Sequence, residues 1–403
     1  MAGLKAAPVG AVVAGGVAAA LHVGKLPPAL PALEHDLGLG LVAGGFLLSL
    51  VQAAGMALGL MAGLAADTLG LRRCMLIGLA LLTLAGAAGG LAVPAVDPVA
   101  WLLGCRVLEG LGFLLAVMPA PGLIRRLAPA GMEKRALGLW GAYMPGGVAL
   151  GLLLGPWLIG AAGWRPWWWG VAGLSALAAA LIAATVAPDP RAQARAAAPG
   201  AWRARLGATL GAAGPWSAAL AFGLYSAQWM SVIGFLPTIY VQAGLAAGAT
   251  AALTALAAAL NMVGNVVGGR MLQAGWPPLR LLCLGFGCMV LGSAAAFAQG
   301  QGGGLPPGLR YLAVCLFSMG GGAVPATLFM LSVRVAPGPQ TVSTTVGLMQ
   351  QISSLGQFAA PPVVGWIAHR TGGWQWTWLF TLACSALGVL AALRLCRADR
   401  EAA

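Results

Sequence analysis

The sequence predicts an all-α membrane protein, with twelve transmembrane helices arranged as two pseudo-symmetric six-helix bundles. Three observations predict this. Hydrophobic residues make up 60% of the 403-residue chain and charged residues 8%, with a mean hydropathy of +0.88. A water-soluble domain carries about 25% charged residues, so lipid must cover most of this surface. Apolar runs of bilayer-crossing length then recur twelve times. Finally, the basic residues fall on one side of the resulting topology.

In order, the runs lie near 8–30, 41–64, 74–93, 99–124, 136–160 and 167–187, then near 215–240, 246–269, 279–298, 309–333, 341–367 and 374–396. The first begins near Pro8 and passes into Lys25-Leu-Pro-Pro without a small-residue cleavage site, so it reads as a span and not a signal peptide. The stretch between the halves, with Asp189, Arg191, Arg195, Arg203 and Arg205, reads as a linker. The expected division is 1–187 for the first bundle, 188–213 for the linker and 214–403 for the second bundle. Gly at 62 and Pro at 26 suit membrane helices, where small residues let backbones approach.

A cytoplasmic N-terminus places 17 of the 22 basic residues in inner loops and tails. Only Arg165, Arg310 and Arg370 fall outside, and Lys25 and Arg106 fall within spans. This satisfies the positive-inside rule and accounts for the net charge of +13 without any nucleic acid. The expected location is the inner (cell) membrane, multi-pass, with both termini cytoplasmic and the chain a monomer.

The composition also excludes chemistry. Three His without a His-x-x-x-His pair, and no intramembrane pair of acids, argue against an enzyme. The seven Cys show no Cys-x-x-Cys spacing and read as free, buried thiols, with no metal site and no cofactor. No Gly-x-x-x-x-Gly-Lys loop is present, so direct ATP drive is not indicated.

Motifs sharpen the reading. Gly63-Leu-Ala-Ala-Asp67-Thr-Leu-Gly70-Leu-Arg72-Arg73 is a charged loop between the second and third runs. Arg106-Val-Leu-Glu109-Gly110 lies early in the fourth run, and Gly147-x-x-x-Gly151-x-x-x-Gly155-Pro156 in the fifth. Gly163-Trp164-Arg165 precedes Trp167-Trp168-Trp169 at the sixth. Together these resemble the signature loop, the fourth-helix Arg motif, the glycine-rich bend and the sixth-span start of the major facilitator superfamily of secondary transporters. The resemblance implies the major facilitator fold. It also implies a cytoplasmic gate in which Asp67, Arg72 and Arg73 form a charge-relay latch, with Gly63 and Gly70 permitting tight turns and close helix contact. Thr68 and Leu71 depart from the signature, and the mirror loop, Gly268-Gly269-Arg270, keeps one basic residue and no acid. More narrowly, His22-Val-Gly24-Lys25-Leu-Pro27-Pro28, Tyr143-Met-Pro145-Gly146 and Gln350…Gly356-Gln357-Phe358 are similar to the cyanate and nitroimidazole permease branch.

Ionisable groups inside a membrane are costly and therefore functional candidates. His22 and Lys25 are three apart on one helix face, as are Arg106 and Glu109, and all four are expected in the outer half of the first and fourth spans. They are expected to form one polar cluster. In one reading Lys25 and Arg106 attract an anionic substrate, while Glu109 or His22 takes a coupling proton. In the other, Arg106 and Glu109 form a structural ion pair and Lys25 snorkels outward. No Asp or Glu occurs from Pro190 to Ala398. The second bundle instead offers Tyr225, Gln228, Trp229, Asn261, Asn265, Gln350, Ser353, Ser354 and Gln357. Of these, Tyr225, Gln228, Asn261, Gln350 and Gln357 join Lys25 and Arg106 as expected substrate contacts.

The expected function is secondary active transport of a small solute, favoured as a small anion, by alternating access with a coupling proton. A drug or metabolite efflux pump of the same superfamily is the alternative, and a non-transporting membrane sensor a third reading. The expected partners are the small anionic substrate, the proton and the lipid bilayer.

Overall fold

The computed structural model describes residues 2–38, 41–92, 97–189, 201–299 and 304–401. The described residues form helices and contain no strand. The first half comprises α1 (Ala2–Gly24), a 3-10 turn (Pro27–Ala29), α2 (Leu30–Leu37), α3 (Leu41–Leu69), α4 (Leu71–Gly89), α5 (Pro98–Val117), α6 (Ala120–Leu127), α7 (Glu133–Gly141), α8 (Tyr143–Ala162) and α9 (Trp164–Thr185). After α10 (Ala201–Gly211) come α11 (Ala213–Gln242), α12 (Ala247–Gln273), α13 (Pro278–Phe297), α14 (Pro307–Gly321), α15 (Ala323–Val335), α16 (Val342–Thr371) and α17 (Thr377–Glu401). Part of the expected linker, with Arg191 and Arg195, lies outside the described residues, as do the side chains of Lys5 and Arg400.

Among the described residues, eleven segments are long and apolar enough to cross a membrane. Helix α16 is 30 residues long but carries Gln350, Gln351, Ser353, Ser354 and Gln357, which lower its apolar content. Counting α16, the described residues hold helices at all twelve expected positions, eleven of them apolar enough to cross a membrane.

The breaks have local causes. Pro27 and Pro28 lack the N–H that would continue α1 and force the 3-10 turn. Asp97 caps α5 by accepting from the Val99 and Ala100 N–H groups at 3.0 and 3.2 Å, with Pro98 in the first turn. The motif expected as a loop from Gly63 to Arg73 is helical apart from Gly70, whose φ of +103° makes the turn. Asp67 thus sits in the last turns of α3. Gly63 makes no turn; its bare Cα admits the Ser343 carbonyl and the Gly347 Cα.

The chain divides into two compact units. Unit 1 holds residues 1–133, 143–209 and 337–347; unit 2 holds 134–142, 210–336 and 348–403. The first turns of α16 thus belong to unit 1 and most of α7 to unit 2.

In unit 1 the glycine stripe of α8 receives α1. A methyl group at Gly151 would stand 2.6 Å from the Gly24 carbonyl carbon, and one at Gly155 would stand 2.6 Å from the Pro28 ring. Only glycine lets the backbones meet here, and the contact fixes the chain on both sides of Lys25. A buried apolar cluster of Leu26, Leu33, Leu47, Leu102, Trp164 and Trp168 closes around the turn. In unit 2, α11 and α16 meet in the same way: a methyl group at Gly356 would stand 2.7 Å from the Gly223 carbonyl oxygen.

Candidate functional site: a buried charge cluster and a neutral polar core

Unit 1 brings His22, Lys25, Arg106 and Glu109 into one cluster, each at most 2% exposed. Helical spacing puts Arg106 and Glu109 on one face of α5, while the Pro27-Pro28 break leaves Lys25 just beyond the end of α1, its N–H still bonded to the Leu21 carbonyl. Glu109 is the hub. Its Oε2 accepts from the Arg106 guanidinium at 2.6 Å; its Oε1 accepts from Lys25 Nζ at 2.5 Å and lies 3.1 Å from His22 Nδ1. Lys25 Nζ is also 3.3 Å from His22 Nδ1. Lys25 does not snorkel to the surface.

Further contacts hold the two cations differently. Arg106 donates to the His22 carbonyl at 2.7 Å and to the Leu47 carbonyl at 3.1 Å, tying α5 to α1 and α3. Lys25 lies over the Trp168 ring, 4.6 Å from its centroid, while Trp167 Nε1 donates to the Lys25 carbonyl at 3.0 Å. Two of the three consecutive tryptophans at the start of α9 therefore position one lysine. His22 completes the set through Nε2, 3.0 Å from Ser175 Oγ. With His22 neutral, two cations face one carboxylate, and the cluster carries one positive charge in excess.

A second site in unit 1 joins helix ends. The Asp67 carboxylate accepts from the Ser343 N–H at 3.1 Å, and from the Thr344 N–H and hydroxyl, each at 2.7 Å. It caps the first turn of α16, where backbone donors lack partners within the helix and the dipole favours an anion. Arg205 on α10 donates to the Asp67 carbonyl at 2.9 Å. The Arg pair acts partly through its backbone: the Arg72 and Arg73 N–H groups donate to the Asp189 carboxylate at 3.1 and 3.0 Å. Asp189 also pairs with Arg126 at 3.2 Å, and it fills the space beside Gly70. The Arg72 guanidinium donates to the Ala183 carbonyl at 2.9 Å.

The polar residues of unit 2 form neutral networks. Tyr225 donates to Asn261 Oδ1 at 3.1 Å, Asn261 Nδ2 donates to the Ser318 carbonyl at 2.7 Å, and Trp229 reaches Ser318 Oγ at 3.2 Å. Asn265 donates back to Asn261 at 3.0 Å. Gln228 belongs elsewhere: its Oε1 accepts from Ser385 at 3.0 Å, and its buried Nε2 has no hydrogen-bond partner among the described residues. On α16, Gln350 faces Ser354 at 3.5 Å and Gln357 donates to Ser353, which bonds Ser226 at 2.7 Å.

The sequence did not single out Ser175, Trp168, Asp189, Ser343 or Thr344 as site residues. A lone serine on an apolar helix carries no periodic signal, and the Ser343–Thr344 donors lie 276 and 277 residues beyond Asp67. Asp189 was detectable as one of only nine acids in the chain.

Comparison with known proteins adds the family. Residues 12–361 match the family model of the Major Facilitator Superfamily. The tetracenomycin C resistance and export protein of Streptomyces glaucescens is 32% identical over 189 residues, covering 45% of this chain and 34% of that protein. The puromycin resistance protein pur8 of Streptomyces alboniger is 35% identical over 139 residues, covering 34% of this chain and 27% of that protein. The chain thus aligns with about a third or less of these relatives' lengths. Among solved structures, the E. coli fucose:proton symporter FucP superposes with a TM-score of 0.77 at 18% identity, covering 96% of this chain and 98% of that one. The proton:xylose symporter XylE gives 0.76 at 15% identity, covering 98% and 96%.

Proposed function

The chain belongs to the major facilitator superfamily and is a multi-pass membrane transporter, not an enzyme; on that premise we propose that its cargo is a small anion, moved with a coupling proton by alternating access. One observation carries this reading: two buried cations share one carboxylate in unit 1. Buried charge is expensive unless paired, so a site with one positive charge in excess favours an anion and opposes a cation. No acid from Ala201 to Ala398 offsets it. Arg106, held by three acceptors, fixes the hub, while Lys25 is the cation an anion meets. Within unit 2, Tyr225, Gln228, Asn261, Gln350 and Gln357 are the neutral polar groups suited to such a cargo, and Gln228 Nε2, without a partner among the described residues, is a donor that an anionic oxygen can accept from.

Asp67 and Asp189, each capping a helix contributed by a distant segment, are the gate in this reading. The 17-to-3 bias of basic residues supports a cytoplasmic-membrane location with both termini inside.

The test is transport by purified protein in liposomes enclosing a pH-sensitive dye, challenged with nitrate, lactate, succinate and benzoate. Saturable uptake of at least one anion with inward proton movement is expected. Proton movement with none of them, or uptake unchanged in Lys25→Met, would overturn the reading. A second reading, export of drug-like compounds, rests on the two Streptomyces relatives, whose names describe export and resistance. Protection of a pump-deleted host against puromycin would favour it.

A further inference from the structure

We propose that Ser175 locks the tautomer of His22 so that Nδ1 is kept open as the landing site of the coupling proton, and that proton arrival there frees Lys25 for the anion. The proposal deepens the proton-coupled anion reading and rests on it for its functional consequence, but not for its structural one.

The groups facing His22 come from its own segment and from α5, α9 and α4. From α5 come Glu109 and the Arg106 guanidinium, the latter on the His22 carbonyl; from its own segment comes Lys25; from α9 comes Ser175. From α4 the neighbour is Gly86, where a methyl group would stand 2.8 Å from the ring. The ring therefore cannot swing toward α4, and its two nitrogens have fixed partners.

At Nδ1 the partners compete. The Glu109 carboxylate at 3.1 Å can only accept, which favours a proton on Nδ1. The Lys25 ammonium at 3.3 Å can only donate, which favours a lone pair there. The near side of the ring is thus balanced, and the far side decides. Ser175 has a single hydroxyl proton, and the Val171 carbonyl one turn back, 3.3 Å from Oγ, is the permanent acceptor that takes it in the usual back-bonding of a helical serine. Its lone pairs are then turned to His22 Nε2 at 3.0 Å and accept from an Nε2–H. Neutral imidazole carries one proton, so Nδ1 is left bare between a carboxylate and an ammonium.

The consequence is a switch with balanced charge. A proton from water adds to the Nδ1 lone pair, giving imidazolium. The new N–H donates to Glu109 Oε1, the atom that Lys25 now occupies. Lys25 loses His22 as an acceptor and shares Glu109 with a second donor. The cluster gains one positive charge, which a monovalent anion neutralises. Proton and anion thus favour each other's binding, and a one-to-one stoichiometry leaves the loaded site with its resting charge.

Nitrogen-15 NMR of histidine-labelled full-length protein in lipid, without substrate, tests the lock directly. There are three histidines, and His22→Gln assigns the signal. At high pH His22 should show a protonated Nε2 and an unprotonated Nδ1, with Nδ1 gaining its proton on acidification. Ser175→Ala should shift the tautomer ratio toward Nδ1–H by about fivefold, the worth of one net hydrogen bond, and Ser175→Thr, which keeps the hydroxyl, should restore it. A neutral His22 protonated on Nδ1 in the wild type, or an unchanged ratio in Ser175→Ala, overturns the proposal. Failure of anion transport with the tautomer as described would instead overturn the proposed cargo.

Discussion

Unit 1 and unit 2 draw on the same architecture but solve the burial of polar groups in opposite ways. Unit 1 places four ionisable side chains in one buried cluster centred on Glu109 and uses two further carboxylates, Asp67 and Asp189, to cap helices supplied by distant segments. In unit 2 the groups that bond are neutral amides, hydroxyls and an indole, some over one helical turn, as Asn265 with Asn261 and Gln357 with Ser353, and some between helices, as Trp229 with Ser318. The corresponding helix starts show the same contrast. Helix α4 opens after Gly70 and borrows the Asp189 carboxylate, whereas α13 opens on Pro277-Pro278 with no side-chain cap. Proline there removes a donor that would otherwise need a partner. Charge makes an element sensitive to protons and ions; neutral polarity makes it indifferent to them. In the proposed reading, coupling falls to unit 1 and neutral polarity is what unit 2 brings.

The substitution that separates the two units most strongly is Glu109→Gln. It strands two buried cations, and removing one partner of a buried pair costs about 3–5 kcal/mol. Thermal unfolding should show a larger loss than for any single polar substitution in unit 2. A loss no greater than that of Asn261→Ala would erase the distinction. Next in size is Asp67→Asn, which keeps one acceptor oxygen and turns an amide toward the α16 donors. About 1–3 kcal/mol is expected for the unsatisfied groups, with transport impaired more than by Arg270→Ala in the mirror loop; equal impairment would refute a one-sided gate. Asn261→Ala should cost about 1 kcal/mol for the bonds to Ser318 and Tyr225 and should leave the pH dependence of transport unchanged. Smallest is Lys25→Met, which leaves Arg106 and Glu109 as a one-to-one pair. Its stability should change least of the four, while anion binding disappears, so a stability assay and a binding assay should rank it oppositely.

Much of this contrast was legible in the sequence. Charges within apolar runs are rare enough that His22, Lys25, Arg106 and Glu109 stood out, and their spacing of three put each pair on one face. The absence of acids from Pro190 to Ala398 was likewise visible. The pairing could not be read so fully. That Lys25 would be sealed under Trp168 depends on the Pro27-Pro28 break and on the α8 glycine stripe, which only packing reveals. The stretch from Gly63 to Arg73 read as a loop because its charges interrupt hydropathy, yet helical hydrogen bonding continues through Asp67 to Leu69. The role of Asp189 was hidden because its acceptor function depends on donors more than a hundred residues earlier, 117 in the case of Arg72.

Binding of an anion through the unit 1 cations is decided by a thermal-shift titration of nitrate, lactate, succinate and benzoate against wild-type, Lys25→Met and Asn261→Ala proteins. At a hundredfold excess over Kd a ligand stabilises by about 2.7 kcal/mol. At least one of the four should raise the wild-type Tm, lose that effect in Lys25→Met, and retain a reduced shift in Asn261→Ala. A shift that survives Lys25→Met undiminished, or a wild-type protein stabilised by puromycin and by none of the anions, would rule out an anion site at the unit 1 cations.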